Sequence, residues 1–357
     1  MRYEIVQTPA LPEHPRPIVS IGAGGIVRDA HYPAYRKAGF SVVGVYDLDA
    51  KRAADMAASF GVPKVYASLQ EAVRGAPPDA VFDVAVPASA ILDILPHLPD
   101  GRGVLIQKPM GENLADARKI LDICHSKKLI AAVNFQLRYA PYVLAARSLI
   151  AQGAIGDVHD MEVRVMVYTP WQMWSFMYGI PRVEILYHSV HYLDLIRSFL
   201  GEPNGIYAKT VRHPKQAKLA STRTNMILDY GDTLRANITV NHGHEYGLRH
   251  QESYVKWEGT RGAIKATLGL LMNYPQGEPD SFEYCVLEPD KEPAWESVPL
   301  SGSWFPDAFI GTMSSLMRFM EGSSEMLPTS VDDACKTMAL VEAAYQSSES
   351  GATPIPA

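Results

Sequence analysis

One stretch decides the fold of this chain: Ile18-Val19-Ser20-Ile21-Gly22-Ala23-Gly24-Gly25-Ile26-Val27, an apolar strand that runs into a glycine-rich turn. Gly22 permits the tight turn, Gly24 lets a pyrophosphate approach the backbone, and the helix expected next offers free N–H groups and a positive dipole. Val27 is bulkier than the glycine or alanine usual at the third position, which predicts slightly wider helix–strand packing. We therefore predict a dinucleotide site at Gly22, Gly24, Gly25, Ile26 and Val27, with a plain strand–helix turn as the alternative.

The pattern on either side of this turn alternates between strands and helices. An amphipathic stretch to Gly39 precedes a second strand, and helical runs separate the later strands, as expected for a parallel sheet covered by helices. We predict a doubly wound α/β domain over residues 18–137, preceded by an extended, proline-rich arm at residues 1–17. Its further strands are predicted at Val42–Tyr46, Val65–Tyr66, Ala80–Val86, Gly103–Ile106 and Ile130–Asn134.

The sequence after Arg138 changes character. A helix is predicted to end at Gly153, after which strands joined by tight turns outnumber helices, and this indicates an open, mostly antiparallel sheet. We assign residues 138–357 to a second, α+β domain with helices on one face of its sheet, and expect its C-terminal helices, within 307–348, to pack between the domains. Its strands are predicted at Val158–Tyr168, Gly205–Val211, Thr222–Tyr230, Thr233–Asn241, Ser253–Trp257 and Ala263–Thr267, with one helix at Val183–Leu200.

Composition narrows the class of partner. The chain has 357 residues, a net charge of −6 and 47% hydrophobic residues, which suits a globular protein of roughly two domains. An acidic balance without a Lys/Arg-rich run argues against nucleic acid or an anionic membrane as partner, and no stretch is apolar enough to span a bilayer. We therefore expect the partner to be a small molecule. Cys124, Cys285 and Cys335 show neither disulfide nor metal spacing, so we expect a cytoplasmic protein.

Asp47 ends the second strand, at about the distance after the glycines where a carboxylate bonds the ribose hydroxyls of a dinucleotide. A carboxylate repels a 2′-phosphate and no arginine directly follows it, so we predict NAD rather than NADP. The alternatives are a helix-capping role for Asp47 or the use of Asp49 instead. Val86 and Pro87 close a later strand where ligands of doubly wound sheets bind, and we predict that they line the cofactor, although Pro87 can also simply end the strand.

The triplet Gln107-Lys108-Pro109 follows the predicted strand Gly103–Ile106. Proline restricts the residue before it to extended or turn conformations, so Lys108 is aimed near the carboxyl edge of the sheet. Its ammonium can bond a substrate hydroxyl and stabilise a developing alkoxide, and a lysine near NAD⁺ can have a lowered pKa. The alternative is a surface lysine that only ends a strand.

The segment Glu184–Leu195 concentrates polar side chains on a predicted helix. Spacings of three and four place Tyr187, His191 and Asp194 on one face, with His188 beside them. An imidazole there can accept a hydroxyl proton while hydride passes to nicotinamide C4, and Asp194 can orient His191 or bond locally on the helix. The alternative is a set of purely structural histidines.

Four motifs in this chain resemble the Gfo/Idh/MocA family of sugar and polyol dehydrogenases, over nearly the whole sequence after the arm. They are the glycine fingerprint, Gln107-Lys108-Pro109, His191-x-x-Asp194-Leu195 and the turn Gly259-Thr260-Arg261-Gly262, in the family's order. The resemblance implies a Rossmann domain followed by an α/β domain whose open sheet makes homodimers or homotetramers. It also implies that Lys108 is the catalytic lysine and that His191 accepts the proton.

Two positions depart from that family's pattern. Gln107 stands in place of a glutamate, which removes a negative charge beside Lys108. Tyr187 stands where many members carry an aspartate; its hydroxyl can bond substrate or relay a proton, and His188 can compensate for the missing carboxylate. These departures leave two alternatives open: a glycoside hydrolase that uses tightly held NAD for transient oxidation, and a non-catalytic NAD-binding sensor.

Two further positions are candidates for ligand contact. Arg138 lies at the predicted domain junction, where it can face the cleft together with Asn134 and Gln136 or close a structural ion pair. Trp171 can shelter the nicotinamide or stack on a sugar, with a place in a core or subunit interface as the alternative.

His242 and His244 lie near the end of a predicted strand and share a face without an evident third ligand. We therefore predict a polar strand end, which can reach the substrate, rather than a metal site.

The sequence thus predicts an NAD-dependent dehydrogenase that oxidises a secondary or anomeric hydroxyl of a small sugar, polyol or sugar acid. Lys108 positions the hydroxyl and His191 accepts its proton, with Tyr187 and His188 as further catalytic residues. Cofactor contacts are expected from Gln107, Lys108 and Trp171 in addition to the positions given above. Substrate contacts are expected from Lys108, Arg138, Trp171, Tyr187, His188, His191 and Asp194.

Overall fold

The structure is a computed structural model that describes residues 3–356. Its strands are β1 (Ile18–Ile21), β2 (Val42–Tyr46), β3 (Val81–Val84), β4 (Gly103–Ile106), β5 (Ile130–Val133), β6 (Val158–Met166), β7 (Gly205–Val211), β8 (Arg223–Asp229), β9 (Arg235–Asn241), β10 (Glu252–Gly259), β11 (Gly262–Thr267), β12 (Ser281–Val286) and β13 (Trp295–Ser297). Its α-helices are α1 (Tyr32–Ala38), α2 (Ala50–Phe60), α3 (Leu69–Gly75), α4 (Ile91–Ile94), α5 (Leu114–Ser126), α6 (Pro141–Ala151), α7 (Val190–Leu200), α8 (Asp307–Glu321) and α9 (Val331–Ser350). Short 3-10 segments lie at Ala88–Ala90, Leu95–His97, Gln136–Tyr139, Trp171–Met177, Leu248–His250 and Gly269–Leu271, and π-helical turns at Val27–His31 and Ile185–Ser189.

The chain divides into two compact units. The parallel-sheet unit comprises Thr8–Ala140 and Trp304–Met338, and the mixed-sheet unit comprises residues 3–7, Pro141–Ser303 and residues 339–356. The predicted boundaries differ from this division, because residues 304–338 join the first unit and the arm divides at Gln7. Met1, Arg2 and Ala357, which the predicted arm and second domain include, lie outside the described residues. The packing of C-terminal helices between domains stays a prediction.

Strands β1 to β5 form the sheet of the parallel-sheet unit. Within the described residues the order is β2-β1-β3-β4-β5, and all neighbouring strands run parallel. β1, β3 and β4 are buried along their whole length, as expected where helices cover both faces of a sheet. The strand order reverses between β1 and β3, and ligands of doubly wound sheets bind at the carboxyl ends of the strands at such a point. The predicted doubly wound parallel sheet is confirmed.

Helix α8 belongs to the core of this unit. Its residues Phe309, Met313 and Leu316 recur at helical spacing and lie in one buried apolar cluster with Val27 and Tyr35. The spacing predicts the helix correctly, but an apolar stripe on a helix does not indicate which part of the protein it packs against. This packing is the reason that residues 304–338 join the parallel-sheet unit rather than the second domain to which we assigned them.

The second sheet has the order β13-β12-β11-β10-β6-β9-β8-β7 among the described residues. Its neighbours are antiparallel except for the parallel pair β6 and β9, so the prediction of an open, mostly antiparallel sheet is confirmed. Exposure alternates along β8, β9 and β10, which leaves one face of the sheet buried and the other exposed.

Several predicted elements differ in detail from the structure. Val65–Tyr66 is not a strand, since only an isolated bridge joins Val65 to Val45. The helix predicted after Arg138 begins at Pro141, separated by the extended Ala140 from the 3-10 segment Gln136–Tyr139, and the helix predicted from Val183 begins with a π-helical turn. β12 and β13 escaped prediction; every residue of β13 is exposed, so no alternation of buried and exposed positions marks it.

Side-chain hydrogen bonds hold the described part of the arm, which has no helix or strand of its own. The backbone N–H groups of Glu13 and His14 each donate to the carboxylate of Glu321 at 3.1 Å, and the N–H of Val6 donates to Ser148 Oγ at 3.1 Å. These hydrogen bonds hold the arm against the rest of the protein, whereas its prolines only restrict its backbone conformation.

No helix among residues 3–356 combines the length and the apolar character that crossing a membrane requires. Cys124, Cys285 and Cys335 are free thiols, and the first two are buried. Burial raises the pKa of the Cys124 thiol to about 12, which suits an inert packing role.

Replacement of Phe309 by alanine tests the place of α8 in this core. Phe309 is 1% exposed, so the Phe309→Ala variant is expected to lose about 3–5 kcal/mol of stability through the cavity that it creates. Urea denaturation followed by tryptophan fluorescence measures the change. Met326→Ala, at a 72% exposed position of the same unit, is the control, and equal denaturation midpoints for the two variants would contradict the assignment.

Candidate active site

The glycine loop follows β1 and depends on a close approach between two backbone segments. Gly22 has φ +103°, and a Cβ atom there would lie 2.3 Å from the carbonyl oxygen of Ala85, just after β3. Gly24 has no atom within 4 Å of its Cβ position, and Gly25 has only Asp29 Oδ2 at 3.8 Å. Gly22 is therefore required by the fold, whereas the open space over Gly24 and Gly25 leaves the backbone accessible to a ligand.

The π-helical turn Val27–His31 follows this loop and continues as α1. Ile26 immediately precedes the turn without a capping hydrogen bond from its side chain, and Val27 is fully buried in the core cluster. The N–H groups of Val27 and Arg28 both donate to Gly24 O, at 3.1 and 3.2 Å. The sequence predicts a helix here, and the structure differs in its first turn, which is π-helical.

The Asp47 carboxylate is tied to the glycine loop. Its Oδ2 accepts a hydrogen bond from the backbone N–H of Ala23 at 2.7 Å, and its Oδ1 accepts from Asp49 N at 2.8 Å. Arg52 Nη1 lies 3.5 Å from Oδ1. Asp49, not Asp47, caps α2, because it accepts from Arg52 N at 3.1 Å. Asp47 therefore lies beside the loop where a ribose is expected, and the capping alternative belongs to its neighbour.

A surface depression extends outward from the loop and carries charges that the sequence reasoning missed. It is lined by Ala23, Gly24, Gly25, Arg28, Asp49, Lys51, Arg52, Asp55, Met56 and Ser59. Each cation pairs with a carboxylate: Arg28 with Asp29 at 2.7 Å, and Lys51 with Asp55 at 2.6 Å. Arg52 was detectable in the sequence, since it lies in the first turn of the helix that Asp49 caps.

Val86 and Pro87 lie just beyond β3, near the glycine loop. A Cβ on Gly22 would come within 3.5 Å of Val86 Cγ1, and Pro87 precedes the 3-10 segment Ala88–Ala90. Both residues therefore stand at the carboxyl edge of the sheet, where we predicted cofactor contacts.

Lys108 is partly buried at the end of β4, and its peptide bond to Pro109 is cis. Gln107 before it is 8% exposed and donates its backbone N–H to Val84 O at 2.9 Å. Burial lowers the pKa of the Lys108 amine from its ordinary 10.5 to about 8, because desolvation disfavours the ammonium form. Near neutral pH this lysine is thus a hydrogen-bond donor that releases its proton more readily than an ordinary lysine.

A buried chain of hydrogen bonds, the Asp83–Gln107 network, links the carboxyl ends of β3, β4 and β5. His31 Nδ1 lies 2.8 Å from Asp83 Oδ2, and Asn134 Nδ2 lies 3.3 Å from His31 Nε2 and donates to Gln107 Oε1 at 3.0 Å. Thr312 donates its hydroxyl to Asn134 Oδ1 at 2.7 Å. Because the amide nitrogen only donates, His31 Nε2 accepts, and the His31 proton faces the Asp83 carboxylate.

The sequence reasoning missed His31 and Asp83 as site residues and placed Asn134 and Gln136 toward a cleft. In the structure Asn134 and Gln136 are 0% and 2% exposed, and Asn134 joins the network instead. A signal was present in the sequence, since a carboxylate inside a strand that is predicted to be buried on both faces requires a partner.

Arg138 closes a structural ion pair, the second of its two predicted alternatives. Its guanidinium donates to Asp333 Oδ2 at 2.6 Å and to Pro328 O at 2.7 Å, and the residue is 7% exposed. A substrate contact by Arg138 stays a prediction.

The predicted catalytic helix of the mixed-sheet unit begins with the π-helical turn Ile185–Ser189 and continues as α7. In this turn the N–H of Val190 donates to Ile185 O, five residues back, so one extra residue is accommodated before α7. Such π turns are frequent at functional sites. The predicted placement of Tyr187, His191 and Asp194 on one face assumes a continuous α-helix. The extra residue in the π-helical turn changes the direction of Tyr187 and His188 relative to the residues of α7.

Exposure separates the four predicted residues of this segment into two pairs. Tyr187 and His188 are partly exposed, whereas His191 and Asp194 are 7% and 1% exposed. The Tyr187 ring packs on Phe176 with centroids 5.9 Å apart.

His188 belongs to a group of packed rings. It lies 4.5 Å from the His242 ring and 5.1 Å from the Trp171 ring, and Trp171 lies 5.4 Å from His242, measured between centroids. His242 Nδ1 is 2.7 Å from Thr169 Oγ1. Trp171 and His188 were predicted as ligand contacts and are adjacent in the structure.

His242 and His244 do not share one environment. His242 packs on Trp171 and His188, while the His244 ring lies 5.4 Å from that of Tyr246. Among residues 3–356 no three His, Cys, Asp or Glu side chains are grouped as a metal ion would require.

Two family models match the sequence. One, described as an oxidoreductase family with an NAD-binding Rossmann fold, matches residues 17–135, and the other, the GFO/IDH/MocA C-terminal domain, matches residues 143–265. The chain belongs to the Gfo/Idh/MocA family. The predicted family, its Rossmann fold and the NAD-binding character of the first domain are thereby confirmed.

Relatives of this family member include two enzymes named for carbohydrates. D-apiose dehydrogenase of Rhizobium rhizogenes is 23% identical over 88% of this chain and 90% of its own length. 1,5-anhydro-D-fructose reductase of Ensifer adhaerens is 30% identical over 51% of this chain and 56% of its own length. A crystal structure of an Agrobacterium radiobacter oxidoreductase with NAD⁺, L-tartaric acid and magnesium has a TM-score of 0.78 at 20% identity, covering 94% of this chain and 97% of that one, which shows the shared fold.

The residues of this Gfo/Idh/MocA chain fit NAD. The backbone over Gly24 is open to a pyrophosphate, and the Asp47 carboxylate stands at the loop where it can accept from ribose hydroxyls. Lys108 belongs to the parallel-sheet unit, and Tyr187, His188 and His191 belong to the mixed-sheet unit.

Alanine at Gly22 and at Gly24 should give opposite phenotypes. Gly22→Ala forces a methyl group onto the Ala85 carbonyl at positive φ, so we expect a loss of roughly 2 kcal/mol of stability or more. Gly24→Ala meets no atom and should keep the melting temperature but weaken NAD binding, because its methyl group stands where the pyrophosphate approaches. Calorimetric melting and NAD titration separate the two effects, and equal melting temperatures for both variants would count against this account of the loop.

Replacement of Lys108 by methionine should raise stability in a pH-dependent way. Below about pH 8 the folded chain holds an ammonium that the unfolded chain, with a pKa of 10.5, solvates better. The destabilisation by Lys108 is therefore full at neutral pH and disappears as the pH rises from about 8 to 10.5. At pH 7 the melting temperature of Lys108→Met should exceed that of the wild type, and this difference should shrink as the pH rises from about 8 to 10.5.

The control for this change is Lys336→Met, at an exposed position of α9, which should melt within about 2 °C of the wild type. A Lys108→Met advantage that stays constant from pH 7 to pH 10.5 would show that packing, and not desolvation of the amine, is responsible.

Proposed function

We propose that this chain is an NAD-dependent dehydrogenase that oxidises a secondary or anomeric hydroxyl of a small sugar, polyol or sugar acid. One observation carries the proposal: Lys108, with its pKa lowered to about 8, stands at the carboxyl edge of an NAD-binding Rossmann domain. The carbohydrate names of its relatives, D-apiose dehydrogenase and 1,5-anhydro-D-fructose reductase, support the substrate class.

The proposed roles follow from the chemistry of each side chain. NAD⁺, when bound, accepts hydride at nicotinamide C4. Lys108 donates a hydrogen bond to the substrate hydroxyl and stabilises its oxygen as negative charge develops. His191 accepts the hydroxyl proton, so that the CH–OH group becomes a carbonyl as hydride leaves its carbon. Tyr187 and His188 contact the substrate, and Asp194 orients His191.

The cofactor contacts are part of the same proposal. The loop residues and Asp47 hold the pyrophosphate and the adenosine ribose, while Val86, Pro87 and Gln107 line the nicotinamide end. Trp171 is proposed to shelter the nicotinamide or stack on the sugar.

Self-association through the mixed sheet, as a homodimer or homotetramer, also stays a prediction. It is supported by the exposed cross-strand pair Tyr207 and Ile227, which are 68% and 53% exposed on neighbouring strands β7 and β8. The cytoplasmic location predicted from the cysteine pattern is likewise a proposal.

A second candidate function is glycoside hydrolysis with transient oxidation by tightly held NAD. Gln107 and Tyr187 keep this alternative open, because both replace acidic residues that are usual in the family. Such an enzyme would release the aglycone without net formation of NADH.

Substrate screening tests these proposals directly. The purified protein is incubated with NAD⁺ and panels of aldoses, inositols, sugar acids and nitrophenyl glycosides, and NADH and nitrophenol are recorded. We expect stoichiometric NADH from at least one polyhydroxylated compound. Lys108→Ala should lower kcat by about 100-fold or more, because the oxygen loses its donor.

The matched control is Lys119→Ala on α5, whose side chain is 65% exposed, and it should keep full activity. Nitrophenol without NADH would replace the dehydrogenase by the hydrolase. NAD binding without turnover of any compound would indicate the sensor, and full activity of Lys108→Ala would remove the catalytic role of Lys108.

A further inference from the structure

A buried polar cluster in the mixed-sheet unit, the Glu184 cluster, consists of Thr169, Trp171, Glu184, His188 and His242. Its members come from separate parts of the chain: the residues after β6, the start of the π-helical turn Ile185–Ser189, and the residue after β9. From the sequence we assign no role to Glu184, and at His242 we predict a polar strand end that can reach the substrate.

Glu184 is the unusual member, because its carboxyl group is completely buried. Oε1 accepts a hydrogen bond from Ser189 Oγ at 2.6 Å, but Oε2 has no hydrogen-bond partner among residues 3–356. Removing a carboxylate from water costs several kcal/mol unless it is paired and hydrogen-bonded. Glu184 Oε2 is therefore a buried hydrogen-bond acceptor that requires a donor.

Two further polar atoms of the cluster are also buried without a hydrogen-bond partner in the described part of the chain. His242 Nε2 lies 3.7 Å from Glu184 Oε1, beyond hydrogen-bond length, and makes no other hydrogen bond to the described residues. Trp171 Nε1 also lacks an acceptor within residues 3–356. Trp171 and His242 are 3% and 1% exposed, so ordinary surface hydration does not account for either atom.

The cluster reaches the surface at His188. This residue is partly exposed, and its ring packs on both Trp171 and His242, at 5.1 and 4.5 Å between centroids. His188 follows Tyr187 and lies three residues before His191, so it connects the cluster to the segment to which we assign substrate contact.

The three atoms define the chemistry of a complementary group. The indole N–H only donates, the carboxylate oxygen only accepts, and the imidazole nitrogen does either. A hydroxyl group can accept from Trp171 and donate to Glu184, and a neighbouring hydroxyl can serve His242. A ligand carboxylate or phosphate cannot donate, and the buried charge of Glu184 would repel it strongly in a medium of low dielectric.

We propose that Trp171, Glu184 and His242 form a subsite for adjacent hydroxyl groups of a neutral sugar or polyol, and that this subsite rejects substrates with an acidic group at the same position. The inference rests on the proposed dehydrogenase function and narrows its substrate class by removing the sugar acids.

Matched pairs of neutral and acidic sugars test this subsite. Wild-type protein saturated with NAD⁺ is titrated calorimetrically with D-glucose and D-glucuronate, with D-galactose and D-galacturonate, and with myo-inositol, and kcat/KM is recorded for every probe that yields NADH. We expect neutral probes to bind at least tenfold more tightly than their acids. In Glu184→Gln this preference should fall about tenfold, because the repelling charge is gone.

Trp171→Phe keeps the ring packing but removes the N–H donor, so it should weaken the neutral probes about three- to tenfold without altering the order of neutral and acidic ligands. Glu252→Gln is the matched control, since it makes the same chemical change at an exposed ion pair with Arg164 and should leave both affinities unchanged. Melting temperatures and NAD affinity confirm that each variant is folded; if Glu184→Gln does not fold, His242→Asn takes its place and should weaken the neutral probes by a similar factor.

The outcomes separate this inference from the proposed function. Suppose that NADH forms, that the preference for neutral over acidic probes is unchanged in folded Glu184→Gln, and that Trp171→Phe binds the probes as the wild type does. This result overturns the subsite and keeps the dehydrogenase. Neutral-sugar binding that depends on Glu184 without any NADH keeps the subsite and overturns the dehydrogenase. Failure of every neutral probe to bind overturns the subsite as well.

Discussion

The fully buried carboxylate of Asp83 constrains the parallel-sheet unit. It lies inside β3 with 0% exposure, where an ionised group is tolerated only if hydrogen bonds replace the lost water. His31 and Tyr35 both approach its Oδ2, at 2.8 and 2.9 Å, whereas its Oδ1 has no hydrogen-bond partner among residues 3–356. Since His31 ends the π-helical turn after the glycine loop, the requirement to satisfy Asp83 also fixes the segment that leaves the cofactor loop. The shape of the dinucleotide site is thus tied to a carboxylate that is itself fully buried.

The same network explains how the chain accommodates its departure at Gln107. Asn134 donates to Gln107 Oε1, and a glutamate oxygen could accept this hydrogen bond equally well. The amide therefore preserves the geometry of the strand end and removes only a charge. Burial lowers the pKa of Lys108, and Gln107 adds no carboxylate that would oppose this shift. The departure at Tyr187 has a different character, because a phenol replaces an acid at a partly exposed position, while the acid of this segment, Glu184, is buried.

Local patterns in the sequence predicted the parts of the fold that local physics determines. The apolar run before the glycine loop, the glycine at Gly22 and the alternation of apolar and polar residues along β8 to β10 are patterns among neighbouring residues, and each predicted a local feature that the structure shows. The contacts that were missed join distant residues: His31 and Asp83 are 52 positions apart, and Thr169 and His242 are 73 apart. A single sequence does not show which of many polar residues meet in space. The core partner of α8 was missed for the same reason.

The lowered pKa of Lys108 also bears on how this protein can be damaged. Electrophiles attack the free amine of a lysine and not its ammonium form, and acylation abolishes the charge. Because its pKa is lowered to about 8, the Lys108 amine holds a larger fraction of its free base at physiological pH than an ordinary lysine does. The burial that lowers the pKa of Lys108 thus also increases the share of this lysine in the form that an acylating reagent would attack if it reached the nitrogen.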